Sequence, residues 1–99
     1  MRLKNSEIDA IKNVAYKFFG ADARVYLFGS RVDDTKRGGD IDIFIETAKN
    51  DNILQSRIKF LVELEKRIGE QKIDVIVKDK NSDENMPIYY FAKQDGILL

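Results

Sequence analysis

The chain has 99 residues, 43% of them hydrophobic and 34% charged, which suits one small globular domain over residues 1–99 with a well-solvated surface. Seventeen basic side chains balance seventeen acidic ones, so no net positive field draws in nucleic acid, and direct nucleic-acid binding is not expected. Cysteine and histidine are both missing, which excludes disulfides, thiolate or imidazole metal sites and serine–histidine hydrolysis; a bound metal must be held by oxygen, as Mg2+ or Mn2+ is.

The opening MRLKNSEIDAIKN lacks the apolar core of a signal peptide, and no apolar run approaches membrane-spanning length, which points to a cytoplasmic protein with no membrane partner. Ile8, Ile11, Val14 and Phe18 recur at helical steps, with Ser6 and Asp9 as a box-like start and Gly20 as the stop. Residues 23–28, ARVYLF, are rich in β-branched and aromatic side chains and read as a strand closed by Gly29. Residues 30–39 are polar, carry Gly38-Gly39 and read as a loop. The next run, DIDIFI at 40–45, alternates cleanly: Ile41, Ile43 and Ile45 share one face of a strand, Asp40, Asp42 and Phe44 the other. From about Asp51 to Ile68 the spacing turns helical again, with Leu54, Ile58, Leu61, Leu64 and Ile68 as the stripe and Gly69 as the stop. KIDVIV at 72–77 reads as a third strand, and Pro87 and Gly96 bracket a last helix. Helix, strand, strand, helix, strand, helix is the order of an α/β (α+β) domain, a small mixed sheet flanked by helices.

Carboxylates inside strands this apolar are unusual, because aspartate is disfavoured in strands and costly to bury without a partner. Asp40 and Asp42 project from the same face at about 6.6 Å along the strand, close enough for both to lean onto one divalent ion, or onto two ions about 3.5–4 Å apart. Asp74 repeats the pattern in the third strand. If that strand lies beside the second, three like charges converge, and a bound cation is the simplest relief. A single aspartate at a strand end is ordinarily solvated or ion-paired; a D-x-D in an Ile-rich strand with a third such Asp is harder to read that way. Phe28-Gly29-Ser30-Arg31 is the second element: glycine lets backbone N–H groups approach a phosphate, Ser30 adds a hydroxyl and Arg31 a charge-assisted fork. Such tripeptides also form plain turns, and Lys36 and Arg37 in the following loop read more simply as solvated charges. No GxxxxGK[ST] phosphate loop is present.

Together, Gly29-Ser30, a nine-residue spacer and Asp40-Ile41-Asp42 resemble the signature of the DNA polymerase β-like nucleotidyltransferase superfamily, a Gly-Ser followed at about this distance by Asp-x-Asp in a strand. The run FGSRVDDTKRGGDIDIFIE is most similar to that of the small single-domain members, the minimal (MNT-type) nucleotidyltransferases, and the flanking helices and the Ile-Asp-Val strand extend the likeness over most of the chain. The resemblance implies a nucleotidyltransferase-like fold in which Gly29, Ser30 and Arg31 bind the nucleotide, while Asp40, Asp42 and Asp74 are catalytic and hold Mg2+ (or Mn2+). It implies transfer of a nucleoside monophosphate, with ATP the expected donor, to a hydroxyl acceptor. Minimal members resembling this chain act as antitoxins of HEPN/MNT toxin–antitoxin pairs, and some of them attach AMP to a tyrosine of the toxin. A HEPN-type partner protein is therefore expected, and homo- or hetero-oligomers are admitted. The alternatives are a non-catalytic antitoxin that neutralises its partner by contact, and an ordinary α/β domain whose aspartates only form salt bridges. The C-terminal runs at 88–91 and 97–99, IYYF and ILL, are candidate partner surface, with core packing as the plainer reading.

Overall fold

In the computed structural model the residues described are 3–29, 40–48, 51–82 and 86–99. Along the chain they form α1 (Asn5–Phe19), β1 (Arg24–Phe28), β2 (Ile41–Thr47), α2 (Ile53–Ile68), β3 (Ile73–Asp79), α3 (Pro87–Asp95) and β4 (Ile97–Leu98). The strands make one mixed sheet in the order β3-β2-β1-β4. β1 runs antiparallel to β2 and to β4, whereas β2 and β3 are parallel. Parallel neighbours need a long crossover, and α2 supplies it.

The alternation within β2 sorts the sheet into two faces. Ile41, Ile43 and Ile45 are fully buried with Val25, Leu27 and Val75 beneath α1 and α2, which contribute Ile11, Val14, Phe19, Phe60 and Leu64. On the other face Phe44 is buried as well: α3 lies over it, and Tyr26, Phe44, Tyr89 and Ala92 form a second, smaller core. The Phe44 ring stacks on Tyr89 at 5.5 Å between centroids, and on Tyr26 at 5.8 Å. Only the part of this face that α3 leaves uncovered is open for chemistry.

Three local expectations are corrected by the packing. Helix α1 begins before Ser6, because the Glu7 carboxylate accepts the Lys4 backbone N–H at 3.0 Å. Its second oxygen accepts from Gln71 Nε2 at 2.8 Å, so the cap also ties α1 to the α2–β3 connection. Helix α2 is rotated from the stripe read in the sequence. Phe60 and Leu64 are buried, with Leu61 and Ile68 packed beside them, but Leu54 and Ile58 stand 68% and 52% exposed. Two interleaved apolar series share the helical spacing in this segment. Phe60 against Phe19 (5.9 Å) and the bond from Arg57 Nε to the Val75 carbonyl (3.0 Å) select the one that faces the sheet. The C-terminal apolar run divides in the same way. Tyr89 and Ala92 are core, whereas Tyr90, Phe91 and Leu98 are exposed.

Strand β4 has no counterpart in the sequence reading. Two residues are too few to show alternation, and pairing with β1 (Leu27↔Ile97, Tyr26↔Leu98) defines it. Gly96 permits the sharp entry, because a Cβ there would lie 3.0 Å from the Leu27 carbonyl oxygen and would run into that of Ala92. On the helical side, the Thr47 hydroxyl donates to the Phe19 carbonyl at 2.7 Å and secures the end of α1 to β2.

Candidate active site

The register of the sheet brings the two separated aspartate motifs together. Asp42 is the direct parallel partner of Asp74, so the two side chains project from one face of adjacent strands. Asp40 lies just before β2, where Ile41 N–H donates to the Lys72 carbonyl at 3.0 Å. Two pleats of the same face thus carry Asp40 and Asp42 on one strand, Lys72 and Asp74 on the other. Asp42 is half-buried and Asp74 exposed. Burial, then the negative charges of Asp74 and Asp40, hold the Asp42 carboxyl above the usual carboxylate range, and the Lys72 charge acts in the opposite sense.

Gly29 couples the two halves of the motif. Phe28 is the antiparallel partner of Asp42, so the chain leaves β1 directly beside that carboxylate. At Gly29 the backbone has φ +80°, and an added Cβ would strike Asp42 Oδ2 and lie 3.0 Å from its Cγ. Glycine is required here for its backbone conformation and for its bareness on the side facing Asp42. Sequence reasoning had assigned the bareness to a phosphate. Ser30 and Arg31, with Lys36 and Arg37, lie outside the described residues.

The donor set fits a hard divalent cation: the ligands are all oxygen, and three like charges meet at one sheet face. The arrangement is open, however. Among the described residues no group of three carboxylates is gathered closely enough to enclose an ion. Asp40 turns instead to Lys72, whose Nζ stands 3.5 Å from its Oδ2. Sequence reasoning passed over Lys72, although a lone cation immediately before Ile-Asp-Val was a visible signal.

A second feature was not visible in the sequence. Two side-chain steps from Asp42 along β2, about 13 Å, a cavity of about 360 Å³ is lined by Glu46, Lys78, Tyr89, Tyr90, Lys93 and Gln94. Glu46 is buried and held by Lys93 Nζ at 3.2 Å. Lys78 lies over the Tyr89 ring at 5.9 Å. Phe44 and the stacked Tyr89 separate this cavity from the aspartates. No helix among the described residues is long and apolar enough to cross a membrane.

Among curated proteins no match is found. Among solved structures, the chain is similar to a protein from Sulfolobus solfataricus described as a candidate nucleotidyltransferase. The two share 22% identity over 99% of this chain and 89% of that one, with a TM-score of 0.49. The family model described as nucleotidyltransferase domain matches residues 5–98, a span holding Gly29, the three aspartates and all four strands, and the chain belongs to that family.

Proposed function

We propose that the protein is a metal-dependent nucleotidyltransferase that moves AMP from ATP to a hydroxyl acceptor, a tyrosine of a HEPN-type partner, and so acts as the antitoxin of that partner. The observation that carries the chemistry is the pairing of Asp42 with Asp74 beside Gly29. Asp40, Asp42 and Asp74 hold Mg2+ or Mn2+, with Asp40 released from Lys72. The ion, when bound, neutralises charge on the reacting phosphate and on the departing one. Gly29 and Ser30 seat the triphosphate with backbone N–H groups, and Arg31 holds the charge of the leaving pyrophosphate. Asp74 takes the proton of the acceptor hydroxyl as its oxygen bonds to the α-phosphorus; the bond from that phosphorus to the bridging oxygen breaks and pyrophosphate leaves.

Two apolar surfaces support a partner protein as the source of the acceptor. One is the exposed part of the C-terminal run, Ile88, Tyr90, Phe91 and Leu98; the other is the ridge of Leu54, Ile58 and Val62 on α2. The contact-only antitoxin keeps one specific argument, the open carboxylate arrangement in which Asp40 is tied to Lys72. Radiolabel transfer from α-labelled ATP to the partner, with magnesium, decides between them. Transfer by wild type and its loss in Asp42→Asn support the enzyme. A partner neutralised equally by both proteins, with no label moved, establishes the contact-only reading.

A further inference from the structure

Beside the three carboxylates stands a lysine that so far figures only as the partner Asp40 must leave. The Lys72 carbonyl is fixed to β2 by the Ile41 N–H, at 3.0 Å, so the root of its side chain cannot drift from the site. By the parity of β2 and β3 it projects from the face that carries Asp40, Asp42 and Asp74. Its Nζ is 3.5 Å from Asp40 Oδ2, and the lysine side chain is 75% exposed. A pair that wet contributes little to folding. It also acts on the neighbouring carboxylates: the Lys72 charge opposes the push that Asp74 and Asp40 exert on Asp42, though it is the smallest of these influences.

The consequence depends on what approaches. A bare divalent ion must break the Asp40–Lys72 pair and then share the site with a displaced ammonium, which repels it. A divalent ion carrying a nucleotide polyphosphate meets the same lysine differently. The net charge of that complex is negative, and its phosphate oxygens accept from the ammonium that Asp40 gives up, which carries three N–H donors. A flexible four-carbon stem lets the ammonium swing between the two partners without moving the strand.

We propose that Lys72 is a positioning residue that makes the site select a metal–polyphosphate complex over the free metal, by pairing with Asp40 until a polyphosphate replaces it. The inference rests on the metal and nucleotide site proposed above. Its signature is a change of opposite sign for two ligands, which neither general destabilisation nor simple loss of a phosphate contact produces.

The test uses the full chain and two titrations. One follows free Mn2+ by its electron paramagnetic resonance signal; the other follows Mg2+ with a non-hydrolysable ATP analogue by calorimetry. Lys72→Ala is expected to bind free Mn2+ about tenfold more tightly and the metal–nucleotide complex about tenfold more weakly, the scale of one unit charge moved near a partly hydrated site. Lys72→Arg, which keeps the charge, is expected to stay close to wild type in both. Thermal melting without metal checks that the fold is intact. Affinities that shift in the same direction, or do not shift, overturn the proposal while leaving the site itself standing. A wild-type protein that binds neither ligand removes the site and the proposal together.

Discussion

Replacing Gly29 with alanine tests the contact that joins the two halves of the site. A left-handed backbone costs an L-residue about 1–2 kcal/mol, and Gly29 sits at φ +80°. The added methyl also collides with the Asp42 carboxylate. Asp42 is paired through its backbone to Phe28 on one side and to Asp74 on the other, so the strand cannot retreat and the side chain must rotate. Forcing that carboxylate from its rotamer adds about 0.5–1.5 kcal/mol. The expected loss is about 1.5–3.5 kcal/mol, a fall in melting temperature of about 6–28 °C for a domain of this size. Asp42→Ala removes the collision but not the backbone strain, and by itself relieves the repulsion from Asp74 and Asp40. In that background Gly29→Ala is expected to cost only the 1–2 kcal/mol of the left-handed conformation. Urea denaturation of the four proteins gives the coupling energy of the pair, expected near 1 kcal/mol. Additivity within about 0.3–0.5 kcal/mol would show that Gly29 does not rest on Asp42, and the steric account would be wrong.

Other consequences are tested singly. Thr47→Val keeps the shape and deletes the donor to the buried Phe19 carbonyl, and a loss of about 1–3 kcal/mol is expected in urea. The pH dependence has a definite sign without metal. The Asp42 carboxyl titrates higher in the folded protein than in the unfolded chain, so its protonated form stabilises the fold; that contribution is complete below the unfolded value, near 3.9, and fades as pH rises through the folded one. The melting temperature of Asp42→Asn relative to wild type is therefore expected to climb across this interval, and a constant gap would contradict it. Leu54→Ser with Ile58→Ser changes an exposed ridge, so stability is expected to stay within about 0.5 kcal/mol while binding to the partner weakens. A large drop in melting temperature would place these side chains in the core instead.

The first two helices and β2 were legible from their own periods, β1 from its β-branched and aromatic composition, β3 from a short apolar run, and α3 from Pro87 and Gly96 at its ends. The pairing of D-x-D with Asp74 stayed conditional, because nothing in the sequence sets the third strand beside the second; the parallel register of β2 and β3 supplies it. What escaped depends on relations between segments. The rotation of α2 could not be read, since Leu54-Ile58-Val62 and Phe60-Leu64 both keep helical spacing and only Phe19 and Val75 distinguish them. β4 is created by the edge of β1. The cavity at Glu46 draws its lining from β2, β3 and α3, so no stretch of sequence contains it.

The same distinction separates what local chemistry and what register contribute to the site. A D-x-D motif places two carboxylates on one strand face wherever it occurs in a strand. Asp40 on the same strand adds to the perturbation of Asp42, but most of it comes from elsewhere: burial first, then Asp74 on β3, with Gly29 at the end of β1 against it and Lys72, beside β3, opposing the charge. Shifting β3 by one residue would put Asp74 on the helix-covered face and Ile73 or Val75 in its place, replacing a carboxylate with an aliphatic group. The Ile and Val residues of β3 prevent that slip, because Val75 is buried and Ile73 and Val77 pack on the main core. The apolar alternation that stabilises the sheet therefore also keeps the third carboxylate in register with the second.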